Sequence, residues 1–231
     1  MADWEEWDNI DLDLIRNAAD QKRSRGNSGT KTKRKYKDLI CAFDIETTAI
    51  PERESAVMYI WQFQIEDHTY IGRTWDEYLK FLKKIAAELN ENEYIVIFDH
   101  NLSYEFQFLA GIYEFKSEEV FALEPRRILK CDMLQHFEYR CSYLHSNMSL
   151  DMYLSKMGVP SKKVKGFDYK KQRWPWTELT DEEMHYCIND VKGLVQAVKI
   201  EMKHDGDNLY TFPLTSTGYV RRDAKRAMHL V

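Results

Sequence analysis

The sequence predicts one α/β domain, a mixed β-sheet flanked by helices, over residues 37–205. Three observations carry this reading. The apolar runs Leu39–Phe43 and Tyr94–Phe98 have strand length and end in acids, as strands buried on both faces do. Two longer segments, Asp76–Leu89 and Thr180–His204, repeat apolar residues at helical spacing. The order is strands, helix, strand, helix, strands, helix, helix, which packs as layers about one sheet. With 231 residues, 44% of them hydrophobic, the chain is long and apolar enough to bury such a core.

Taken in order, the first 36 residues stand apart: residues 1–20 hold seven acids and one base, and residues 22–37 hold eight bases and no acid. Charge blocks of this kind predict a flexible tail, with a short amphipathic helix over Trp4–Ile15 as the ordered alternative. Val57–Ile65 and His68–Ile71 read as a hairpin turning at Glu66-Asp67. Asp76–Leu89 is a helix, Tyr94–Phe98 a strand, and Ser103–Tyr113 a helix with Ser103 as its N-cap. Residues 119–145 supply two or three further strands, and Ser149–Met157 a short helix ended by Gly158 and Pro160. Thr180 with Glu183 three residues on forms a capping box for the last long helix. Residues 206–231 look like a basic linker.

Composition narrows the function. A formal charge of −5 is not the signature of a duplex-DNA binder, whose affinity comes from neutralising phosphates. It suits a carboxylate site that recruits divalent cations. Cys41, Cys131, Cys141 and Cys187 form no C-x-x-C pair, which predicts free thiols in a reducing compartment. No apolar run reaches membrane-spanning length, and the acidic N-terminus does not resemble a signal peptide. The expectation is a soluble, cytoplasmic protein.

The chemistry lies in the acids. Asp44 and Glu46 close a buried strand and, two residues apart, point to one face. Asp99-His100-Asn101 closes the next strand, and Glu105 follows in the first turn of a helix, where the dipole alone also favours an acid. Tyr186 and Asp190 lie one turn apart on the late helix, bordering its apolar stripe, with Gly193 near the same face. Four acids so spaced can converge over one end of a sheet and hold two cations for phosphodiester hydrolysis.

The pattern resembles the DEDDy exonuclease domain of family B DNA polymerases, especially the phage protein-primed group. Phe-Asp-Ile-Glu-Thr-Thr (43–48), His-Asn-Leu-Ser-Tyr-Glu-Phe-Gln-Phe-Leu (100–109) and Tyr-Cys-Ile-Asn-Asp (186–190) resemble its three motifs. Ser149-Leu150 and Lys165-Gly-Phe-Asp-Tyr resemble two secondary ones. One position departs: Glu105 stands where the family has Asp, and no polymerase motifs follow. The resemblance implies an RNase H-like (DnaQ-like) fold and a 3′–5′ exonuclease on the 3′ end of single-stranded DNA, yielding nucleoside 5′-monophosphates. It implies two Mg²⁺ or Mn²⁺ ions on Asp44, Glu46, Glu105 and Asp190, Tyr186 orienting water, and Lys165 on the scissile phosphate. Thr47, His100, Asn101, Tyr104, Phe108, Ser149 and Leu150 would hold the last nucleotides, and a polymerase domain or other replication protein is the implied partner.

Other readings stay open. Phe108 fits plain core as well as the site, and Lys162, Lys163, Lys170, Lys171 and Arg173 fit either a solvated patch or a backbone-tracking one. Trp174-Pro-Trp176 either pins a loop to the core or stacks on bases. Cys131, His136, Cys141 and His145 have zinc-like spacing, but strand alternation turns His136 away from Cys141 and His145. A non-catalytic DNA- or partner-binding module, its site weakened by Glu105, and a 3′–5′ exoribonuclease are the rival functions.

Overall fold

The computed structural model describes residues 3–22, 34–160, 168 and 170–228. The chain opens with strand β1 (Glu5–Glu6), a 3-10 turn (Trp7–Asn9) and helix α1 (Leu12–Arg16), whose N-cap Asp11 accepts from the Asp13 N–H. Strands β2 (Lys35–Tyr36), β3 (Cys41–Ile50), β4 (Ser55–Ile65) and β5 (His68–Gly72) follow. Next come α2 (Trp75–Ala86), β6 (Glu93–Asp99), α3 (Leu102–Ile112), β7 (Val120–Ala122), β8 (Ile128–Met133) and β9 (Phe137–Cys141). Helices α4 (Ser142–Ser146), α5 (Leu150–Lys156), α6 (Asp181–Asp205) and α7 (Ser216–Met228) complete the described chain.

The strands form one mixed sheet in the order β1-β5-β4-β3-β6-β9-β8-β7, with β2 parallel to the start of β6. At its centre β3 runs antiparallel to β4 and parallel to β6, and β6 is parallel to β9. Side-chain alternation divides β3 between two cores. Cys41, Phe43 and Ile45 enter the larger core with Tyr78, Phe81 and Leu82 of α2 and Leu102 and Leu109 of α3. Ala42 packs on the other face with Val191, Leu194 and Val198 of α6. Asp44, Glu46 and Thr48 continue that second face toward the carboxyl end of the strand.

The hairpin, α2 and α6 stand as the sequence predicts, and capping boxes at Thr74/Glu77 and Thr180/Glu183 start the two helices. Three expectations need correction. The N-terminal stretch is not a free tail over residues 3–22: Ile10 and Ile15 are buried, Trp7 and Leu12 pack against the larger core, and β1 pairs with β5. Its acids face solvent while its few apolar residues cover an otherwise open sheet edge. Residues 23–33, part of the expected tail, lie outside the described residues.

The segment from residue 206 is likewise no linker. Leu209 and Phe212 are buried in the second core, and Arg222 and Arg226 bind Asp205 and Asp207, folding α7 back onto α6. Gly206, at φ 64°, makes the left-handed C-cap that allows this reversal. Finally, Ser103 does not cap α3. Asn101 is the N-cap residue, at φ 84°, and the Ser103 hydroxyl instead accepts from the Ile128 N–H.

Candidate active site

The carboxyl end of β6 lies beside the first half of β3, with Phe98 opposite Ala42, and the acids the sequence singles out gather there. Asp44 and Glu46, both partly exposed, face α6 from β3, and Asp190 and Tyr186 are partly buried on α6. Glu105, 4% exposed, comes from the first turn of α3. Their charges act on one another. Burial, then Glu46, Glu105 and Asp190, push the Asp44 carboxyl well above its ordinary range. Burial and Asp190 push Glu46 up to about 8, against a downward pull from Arg173. Burial and the neighbouring Asp99 carboxyl raise Glu105. Acids that raise one another's pKa in this way are a cation-seeking donor set.

Asp99 is the residue the sequence reading left without a role. It ends β6, whereas Asp44 and Glu46 do not close β3 as the sequence predicts: the strand runs on to Ile50, paired with β4. Asp99 is wholly buried, and neither of its carboxylate oxygens has a hydrogen-bond partner, nor does Glu105 Oε2. Burial first, then the Asp44 charge, raises its pKa. Unsatisfied buried oxygens are expensive, so these three fit a site completed by a cation. Among the described residues, no three His, Cys, Asp or Glu side chains are arranged so as to hold a metal ion as they stand; the acids would have to turn toward a common point.

The predicted nucleotide-holding residues divide. Thr47 and Tyr104 join β3 to α3 through their hydroxyls at 2.6 Å. Beside them opens a hollow of about 340 Å³ lined by Glu54, Ser55, Ala56, Tyr104, Gln107 and Phe108. Phe108 serves both readings: it packs on Trp75 and Tyr104, yet lines the hollow. His100 bonds Ser142 Oγ at 2.8 Å, leaves Nε2 buried without a partner, and is driven by burial down to about 4. It is therefore a neutral ring at physiological pH and offers no charge to a phosphate. Asn101 is exposed. Ser149 caps α5 by accepting from the Met152 N–H, and Leu150 packs on the second core. Lys165, Lys162 and Lys163 lie outside the described residues.

Arg173 is not part of a solvated or backbone-tracking patch. It is 3% exposed, donates to Glu183 at 2.7 Å, and its backbone binds Thr48 Oγ1 in both directions. The zinc-like set does not assemble either. His136 Nδ1 donates to the Glu93 carbonyl, while His145 lies between the Pro213 carbonyl and Glu201.

The fold is RNase H-like, a large mixed α/β sheet flanked by helices. No family model and no curated protein matches the chain. Among solved structures it is similar to Phi29 DNA polymerase complexed with single-stranded DNA, at TM-score 0.61 and 16% identity, over 74% of this chain and 32% of that one. The ternary complex of the same polymerase gives TM-score 0.62 at 16% identity over the same shares. Its orthorhombic crystal form gives 0.61 at 17%, over 79% and 33%. The chain thus spans about a third of the polymerase it matches. Among the described residues, no helix is long and apolar enough to cross a membrane.

Proposed function

We propose that this domain is a metal-dependent 3′–5′ exonuclease that removes nucleoside 5′-monophosphates from the 3′ end of single-stranded DNA. The role would be that of the proofreading part of a phage-type polymerase, with a polymerase domain or other replication protein as its partner and the host cytoplasm as its setting. The observation that carries this is the mutual repulsion of Asp44, Glu46, Glu105 and Asp190 at one sheet end, beside an open aromatic hollow. Asp44, Glu46, Glu105 and Asp190 would hold two Mg²⁺ or Mn²⁺ ions. Bound there, the ions supply Lewis acidity for phosphodiester hydrolysis. Tyr186, on the same helix as Asp190, would orient the attacking water, and Lys165 would offset charge on the phosphate. Thr47 and Tyr104 would hold the terminal nucleotide, with Phe108 giving its base an apolar face. His100, Asn101, Ser149 and Leu150 would border the preceding one.

The test is digestion of a 5′-labelled single-stranded oligonucleotide with Mn²⁺, wild type beside Asp44→Ala/Glu46→Ala. The expected result is a ladder shortening from the 3′ end that the double variant lacks. Clean wild-type protein that binds the strand but leaves it intact would favour a non-catalytic module. The observation on that side is that the described acids do not yet stand in a metal-holding arrangement.

A further inference from the structure

The turn that follows Arg173 has an outward aromatic pair that neither core uses. The rings of Trp174 and Trp176 lie parallel, 6° apart in plane with centroids 5.7 Å apart. Trp174 is half-buried, whereas Trp176 is 79% exposed. Such exposure leaves the largest apolar side chain in water, and a free ring would fold down onto the surface. The turn that carries Trp176 is fixed on both sides, and Trp174 stacks against that ring. The Trp174 N–H donates to Thr177 Oγ1 at 2.8 Å, and the Thr177 N–H to the Trp174 carbonyl at 2.9 Å. Arg73 Nη2 then donates to both the Trp174 and Thr177 carbonyls, at 3.0 and 2.8 Å.

Its position is also fixed relative to the acids. Thr48 Oγ1 donates to the Arg173 carbonyl at 2.6 Å and accepts from the Arg173 N–H at 2.9 Å. Thr48 is two residues beyond Glu46 on the same face of β3. The aromatic pair is therefore tethered one step past the carboxylates, on their side of the sheet. Lys170, exposed, precedes the turn and offers a cation to a phosphate backbone.

We infer that Trp174 and Trp176 form a stacking platform for an unpaired base of a single DNA strand whose 3′ end lies at the acids. This rests on the exonuclease reading above and adds a binding site to it. Half-buried Trp174 backs Trp176, so the outer face of Trp176 meets a base without reorganisation. Stacking tolerates any base, as a sequence-independent trimming enzyme requires.

The experiment separates this from the catalytic reading. Binding is measured without turnover, in the Asp44→Ala/Glu46→Ala background, from quenching of tryptophan emission and anisotropy of labelled oligo(dT). Trp176→Ala is expected to weaken octanucleotide binding about ten-fold, the loss of one stacked base, and dinucleotide binding much less. Trp176→Phe is expected to recover part of the loss. In otherwise wild-type protein the same substitution is expected to raise KM for the long strand more than it lowers kcat. Trp176 is exposed, so folding is retained, and circular dichroism verifies it. Equal octanucleotide affinity with and without the Trp176 ring overturns the platform, as does a loss of the same size on both lengths. If wild-type protein digests nothing, the exonuclease reading fails on its own, and a length-dependent loss at Trp176 still upholds the platform.

Discussion

Glu46 is the residue at which function and stability oppose each other most directly. On β3, facing α6, it is pushed up to about 8 by burial and then by Asp190, with Arg173 pulling the other way. Without metal, the folded protein holds a proton there that the unfolded chain releases near 4.5. The raised value gives a contribution fully present below 4.5 and lost as pH rises through about 8. One proton changes stability by up to about 1.4 kcal/mol per pH unit, so this window sets a ceiling on the order of 5 kcal/mol. Glu46 is partly exposed, and solvent screening trims this to about 1–3 kcal/mol. Glu46→Gln keeps the shape and removes the ionisation. Urea unfolding in chelator should show no gain near pH 5 and a gain of about 1–3 kcal/mol above about pH 8, with the m-value unchanged. The same variant should lose strand digestion. A pH-independent effect, or destabilisation at alkaline pH, would refute the reasoning, because Glu46 would then be a packing residue rather than a frustrated ligand.

Four further outcomes are expected. Millimolar Mn²⁺ should raise the melting temperature of wild-type protein, by about 2.7 kcal/mol of stability at a hundred times Kd, and leave Asp44→Ala/Glu46→Ala unmoved. Ile15→Ala should cost about 2–4 kcal/mol in urea unfolding, since Ile15 is wholly buried in the larger core; a free tail would show no cost. Gly72→Ala should cost about 1–3 kcal/mol and shift tryptophan emission, because the new Cβ would lie 2.4 Å from the buried Trp61 ring. Arg173→Met should cost about 1.5–3 kcal/mol near neutral pH, because Glu183 loses one of its two charged partners and keeps Lys171. Lys171 and Arg173 hold that carboxyl at about 2 against 4.5 unfolded, so its contribution is full above 4.5 and fades as pH falls through about 2. The deficit of the variant should therefore shrink in acid.

Much of the domain was legible in the chain itself because the signals are local. Apolar runs of strand length, helical spacing and the Thr180/Glu183 capping box depend on residues within a few positions, and they recur in β3, β6 and α6. Two-residue alternation placed Asp44 and Glu46 on one face, and one-turn spacing did the same for Tyr186 and Asp190. What the sequence could not determine is which face meets which neighbour, since that follows from sheet order across many intervening residues. Only the tertiary structure joins Arg173 to Glu183 and Thr48, removing it from the basic patch. Only there does the buried Asp99 carboxyl meet that of Glu105 and raise it, and His100 become a neutral ring. The N-terminal stretch shows the reason most plainly. Its acid-rich composition reads as a tail, yet Trp7, Ile10, Leu12 and Ile15 find apolar partners along β5 and α2. Composition measures the average tendency of a segment to stay in water, whereas docking depends on a few apolar side chains meeting a complementary edge, and that edge exists only once the sheet has formed.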